Sequence, residues 1–125
     1  MNRFYARWLA ALGVVGGALA SRDFTPVHHD RSAANAQGLP DTFMNILTTN
    51  GYVGRYVTDW AGPDVRVKGV RLKLGAPMTP GDSLKLRGKV LSSDEDIVVE
   101  VIGDNAWGNH VRAEVTIELP ASEAR

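Results

Sequence analysis

The chain contains no cysteine. Disulfides and thiolate metal sites are therefore excluded, and the absence fits a reducing compartment. Neither sign of charge is in excess: fourteen Lys and Arg balance fourteen Asp and Glu, so no net positive field draws in nucleic acid. The apolar run at residues 8–20 is too short to cross a bilayer as a helix. The three histidines, His28, His29 and His110, are scattered and do not make a metal site. "GYVG" and "GVVGG" are not phosphate loops, because no Lys-Ser/Thr follows either. There is no internal repeat and no low-complexity linker.

What is present fits one domain. The 125 residues are 44% apolar and 22% charged, an ordinary globular mixture. The amino terminus admits two assignments. Arg3 and Arg7, an apolar stretch and Ala18-Leu19-Ala20 together read like a secretion signal. The alternative is a first strand and short helix of a cytoplasmic domain, with Gly16 and Gly17 marking the turn between them, so that "GVVGGALA" is the strand and turn leading into "SRDFTPVHHD". Cleavage after Ala20 would leave Asp23 as the third residue of a frayed terminus. The strand-and-turn assignment, and with it a cytoplasmic location, is the expectation taken forward.

Residues 41–60 are expected to form the main helix, capped by Asp41 and stopped by Gly62-Pro63. Phe43, Ile46, Leu47, Val53, Val57 and Trp60 recur at three- and four-residue spacing and define an apolar face. Gly51 and Gly54 inside it suggest that a sheet presses close. From Pro63 onward the apolar period becomes two. The expected strands are 65–74, with a bulge at Gly69 where the apolar parity flips; 84–90, after the turn Pro80-Gly81-Asp82; 97–102, a central strand; and 111–119. The fold class is α+β: an antiparallel sheet wrapped around one long helix. That order of elements fits the hotdog fold, and its open edges lead to an expectation of dimerisation.

Asp23 and His28 lie five residues apart with Pro26 between them. Pro26 blocks a regular helix and holds Thr25 extended. Such a loop can aim a carboxylate and an imidazole at one point, where together they hold a water, take a proton from it and return one elsewhere. The bland alternative is a turn cap and a packed histidine. Which member is acid and which is base is not readable from sequence, because the two titrate as a pair.

"DFTPVH" resembles the (R)-specific enoyl-CoA hydratase signature of MaoC-like proteins: Asp, any residue, Asn, Pro, an aliphatic residue, His. Asp23, Pro26, Val27 and His28 match, and Thr25 stands where Asn is usual. "SAANAQGLP" and "PGDSLKLRGKV" also look like this family, and the resemblance spans roughly residues 10–120. Residues 1–10 fall outside it, as a divergent or disordered terminus or a misassigned start would. "ASRDFTPVHHDRSAANAQG", "FMNILTTNGYVGRYVTDWAGP" and "GDNAWGNHV" are similar, more narrowly, to the small MaoC-like subunits of actinobacterial steroid side-chain hydratases.

This resemblance implies a hydratase subunit that adds water to the enoyl double bond of a steroid acyl-CoA carrying a three-carbon side chain. It implies a second, larger MaoC-like subunit in a heterodimer or heterotetramer, supplying much of the coenzyme A surface. Coenzyme A would be part of the substrate, so no cofactor and no metal is implied, nor a nucleic-acid or membrane partner. Asp23 and His28 would be catalytic. The thioester oxygen needs donors as charge develops on it, and backbone groups of Phe43, Met44 and Asn45, at the start of the main helix, are the expected source. Many family members have His-Gly where this chain has Phe43-Met44.

Three alternatives stay open: a homodimeric hydratase of ordinary acyl-CoA, a non-catalytic subunit completing a partner's site, and an exported binding domain. Among the remaining candidates, His29 is expected to be structural or to hydrogen-bond behind the pair, and His110 to be exposed at a strand start. Asn45 and Asn50 could orient a ligand but more often satisfy backbone. Tyr52, Tyr56 and Trp60 are expected in the core or at a dimer contact. Arg66, Lys68, Arg71 and Lys73 form a basic strand face, solvated or at an interface by default.

Overall fold

The computed structural model describes residues 13–120. Residues 1–10, which fall outside the family resemblance, lie outside the described residues. Helix α1 occupies residues 13–20, so the strand and Gly16-Gly17 turn expected for "GVVGGALA" are not there. Val14 and Ala18, four residues apart and thus on one helical face, are both buried. Gly17 lets α1 sit directly against the Thr48 side chain, with which a Cβ at that position would collide.

A single 3₁₀ turn, Pro26–His28, follows, then the short helix α2, Arg31–Ala36, capped by Asp30, whose carboxylate accepts from Ser32 N at 2.8 Å. The long helix α3 runs Ile46–Ala61. It starts five residues later than expected. Asn45 caps it by accepting from Thr48 N, whereas Asp41 accepts from Thr42 N outside the helix. The intervening residues are not helical: Asn45 is extended, and Met44 N donates to Met78 O at 2.8 Å, a contact between distant parts of the chain. Gly62, with φ of 101°, ends the helix.

Four antiparallel strands follow: β1 Arg66–Leu74, β2 Lys85–Ser92, β3 Ile97–Asn105 and β4 Gly108–Glu118, in the spatial order β1-β4-β3-β2. The bulge expected at Gly69 is present, as a register shift between Val67 and Gly69. β3 lies between β4 and β2, as its nearly continuous apolar run implies.

Val53 and Val57 of α3 meet Val99, Val101, Val111, Ala113, Val115 and Ile117 of β3 and β4 in the core, so the sheet covers the helix. The buried stripe of α3 is Thr49, Val53 and Val57. Ile46, Leu47 and Trp60, expected on that stripe, are about half exposed at 48%, 50% and 58%. Gly51 and Gly54 face open space. The close approach comes from the sheet instead: a Cβ on Gly88 of β2 would lie 2.8 Å from the Tyr56 ring. On the basic face of β1, Arg66 pairs with Glu118 at 3.9 Å and Lys68 with Asp96 at 2.9 Å.

Candidate active site

Asp23 is delivered by the end of α1. Arg22 N donates to Leu19 O, Asp23 N donates to Ala18 O at 2.8 Å, and Arg22 has φ of 57°. These two bonds and the left-handed residue are a Schellman-type helix end with Arg22 at the position glycine usually takes. Asp23 is the residue that closes it.

His28 is delivered by the 3₁₀ turn. Pro26 opens the turn, where its missing N–H costs nothing, and the turn rotates Val27 and His28 inward, where both are buried. The imidazole Nδ1 lies 2.7 Å from the carbonyl oxygen of Phe43, and the Phe43 ring stands edge-on to it with centroids 4.8 Å apart. A carbonyl only accepts, so Nδ1 carries a proton and Nε2 is the nitrogen that exchanges its own. His28 Nε2 is 3.2 Å from Asp23 Oδ2. The acid and the imidazole singled out in the sequence therefore meet, with the histidine buried and the carboxylate partly open to solvent.

The carboxylate is surrounded by donors. Thr25 gives Oδ1 its hydroxyl at 2.7 Å and its backbone N–H at 3.2 Å. The residue that departs from the family signature thus still supplies a side-chain donor. Asn45 Nδ2 donates to Oδ2 at 3.1 Å. The Thr25 hydroxyl first, then the Asn45 amide and the Thr25 N–H, hold the Asp23 carboxyl below the ordinary carboxylate range. Desolvation opposes them weakly, and the neighbouring His28 adds to them. His29 lies behind the pair, its Nε2 3.1 Å from the Asp23 carbonyl oxygen.

Of the three backbone groups expected to serve as oxyanion donors, that of Met44 is committed to Met78 O. Phe43 and Asn45 have no backbone N–H partner among the described residues. The Asn45 side chain is fully buried and bonded to Ser21, Asp23 and Thr48. Two concavities open beside the start of α3, and neither is lined by Asp23 or His28. One of about 420 Å³ is lined by Met44, Tyr52, Met78, Leu84 and Leu86; the other, of about 380 Å³, runs between α1 and α3 past Ser21, Leu47, Thr48 and Arg55. Both are largely apolar, and Ser21, at the edge of the second, shares the Asn45 amide with Asp23. Tyr52 lines both spaces and is 45% exposed, so it lies outside the core.

His110 is not exposed, contrary to expectation: it is 1% accessible. Its Nδ1 lies 2.7 Å from Ala76 O and its Nε2 2.9 Å from the Thr49 hydroxyl. The register of β3 and β4 shifts between Gly103 and Asp104, which pair with Val111 and Asn109. That irregularity leaves His110 between the two pairs and turns it inward beside Val111, breaking the alternation from which exposure was inferred. No group of three or more potential ligands converges on a metal position among the described residues, and no helix there is long and apolar enough to cross a membrane.

The chain is 47% identical over 107 residues to the 3-oxo-4,17-pregnadiene-20-carboxyl-CoA hydratase beta subunit of Mycobacterium tuberculosis, covering 85% of this chain and 83% of that protein. Its structure superposes on the ChsH1-ChsH2 complex from Mycobacterium tuberculosis with a TM-score of 0.84 at 47% identity, over 88% of this chain and 87% of the matched one. It also superposes on the (R)-hydratase from A. caviae involved in PHA biosynthesis, with a TM-score of 0.76 at 20% identity, over 88% and 87% of the two chains. The fold is the hotdog fold. The family model for the MaoC like domain matches residues 14–114, which take in Asp23, His28, α3 and most of the sheet. The chain belongs to the MaoC-like domain family.

Proposed function

We propose that the chain is the catalytic subunit of a hydratase that adds water across the α,β double bond of an enoyl-CoA. The observation that carries this is the 3.2 Å approach of His28 Nε2 to Asp23 Oδ2, in a chain 47% identical to a named hydratase subunit. A water held between the carboxylate and the imidazole loses a proton as its oxygen bonds to the β-carbon. The electron pair of the double bond shifts onto the thioester, and a proton is returned at the α-carbon. The N–H groups of Phe43 and Asn45 are the proposed donors to the thioester oxygen. Coenzyme A enters as part of the substrate.

The substrate class follows the same relative: a steroid acyl-CoA with a three-carbon side chain, of the 3-oxo-4,17-pregnadiene-20-carboxyl-CoA type. The partner proposed is a second MaoC-like subunit, by analogy with the ChsH1-ChsH2 complex. A cytoplasmic location suits a thioester substrate of this kind. Coexpression with a neighbouring MaoC-like gene product, followed by an assay on a steroid enoyl-CoA, tests the proposal. Hydration by the pair supports it. Activity of the chain alone on short crotonyl-type thioesters, with none on the steroid thioester, overturns the substrate and partner assignments.

A further inference from the structure

Asn45 is 1% exposed, and its amide uses its whole hydrogen-bonding capacity. Oδ1 accepts from the backbone N–H and the hydroxyl of Thr48. Nδ2 donates to Ser21 Oγ at 2.8 Å and to Asp23 Oδ2 at 3.1 Å. The orientation of the amide is fixed by chemistry: the Thr48 N–H can only donate, so the oxygen faces α3 and the nitrogen faces the carboxylate. Ser21 is itself anchored, its hydroxyl donating to Gly17 O at 2.8 Å at the end of α1. One side chain thus joins the end of α1, the Asp23 loop and the start of α3.

We infer that Asn45 is a positioning residue for Asp23: it holds Oδ2 at a fixed place beside His28 Nε2 while capping α3. The inference rests on the proposed dyad for its effect on catalysis, but the hydrogen bond itself can be tested without activity. No common substitute reproduces both tasks. Serine caps a helix well but is too short to reach Asp23 from the same position, and aspartate would cap while setting a second carboxylate against the first. The titratable groups facing Asp23 are the His28 ring at its carboxylate and the His29 ring at its carbonyl oxygen. The other contacts are the neutral Thr25 and Asn45.

The test is the titration of the Asp23 carboxyl in the full chain, followed by NMR of ¹³C-labelled aspartate and assigned with Asp23→Asn. Removing a donor from a carboxylate raises its pKa, so Asn45→Ser is expected to move the Asp23 midpoint upward while the cap survives. Ser21→Ala, which leaves the cap untouched, frees the amide from its anchor and gives a smaller shift of the same sign. In the active pair, Asn45→Ser is expected to lower kcat by about a hundredfold with little change in KM, and to move the acid limb of the rate profile to higher pH. A wild-type Asp23 midpoint in both variants overturns the inference. If the wild-type pair hydrates no enoyl thioester, the functional proposal fails and the titration still decides the role of Asn45.

Discussion

The Phe43 carbonyl oxygen stands 2.7 Å from His28 Nδ1, and this contact decides which ring nitrogen is left to face Asp23. It commits Nδ1–H to the backbone and turns Nε2 toward Asp23. In the neutral ring the Nδ1–H tautomer is expected, readable from the ¹⁵N shifts of labelled His28. His28→Asn is expected to keep the bond to Phe43 through its amide and lose the exchanging nitrogen. Activity should fall by about 10²–10⁴-fold with the fold intact by circular dichroism.

Thr49 and His110 form a buried hydrogen bond of 2.9 Å between α3 and β4. Thr49→Val keeps the shape and removes the donor, leaving His110 Nε2 without a partner in the core. The expected loss is about 1–3 kcal/mol in denaturant unfolding. Thr49→Ser, which keeps the hydroxyl, should lose less.

Arg22 holds a left-handed backbone with φ of 57° at the helix end that places Asp23. A non-glycine residue there costs roughly 1–2 kcal/mol, part of which glycine gives back as chain entropy. Arg22→Gly is expected to raise stability by about 1 kcal/mol, and Arg22→Val, β-branched, to lower it. Thermal unfolding of the two variants checks the sign.

The sheet was the most legible part of the chain, because β4 and β1 alternate cleanly and the parity flip at Gly69 marked its bulge. The acid–histidine pair was legible as well, since Pro26 and the five-residue spacing lie within one loop. The errors share a physical cause. Asp41 beside Pro40 has the local signature of a cap, yet the Met44–Met78 hydrogen bond, which joins distant segments, commits the Met44 N–H outside the helix. "GVVGGALA" is expected as a strand and turn, but Val14 and Ala18 are buried on one face of a helix, and Gly17 lies against Thr48 of α3. His110 read as exposed because the local irregularity that buries it depends on the pairing of β3 with β4. Arg22 concealed the helix end because glycine is the expected residue there.

The central claim is that Asp23 and His28 together activate water. The direct measurement is the rate of hydration of a steroid enoyl-CoA by the chain coexpressed with the proposed MaoC-like subunit, compared among wild type, Asp23→Asn and His28→Ala, with folding checked in each. The account predicts that each substitution lowers kcat by about 10²–10⁴-fold while the pair still assembles. An active wild-type pair in which both variants keep full activity would contradict it.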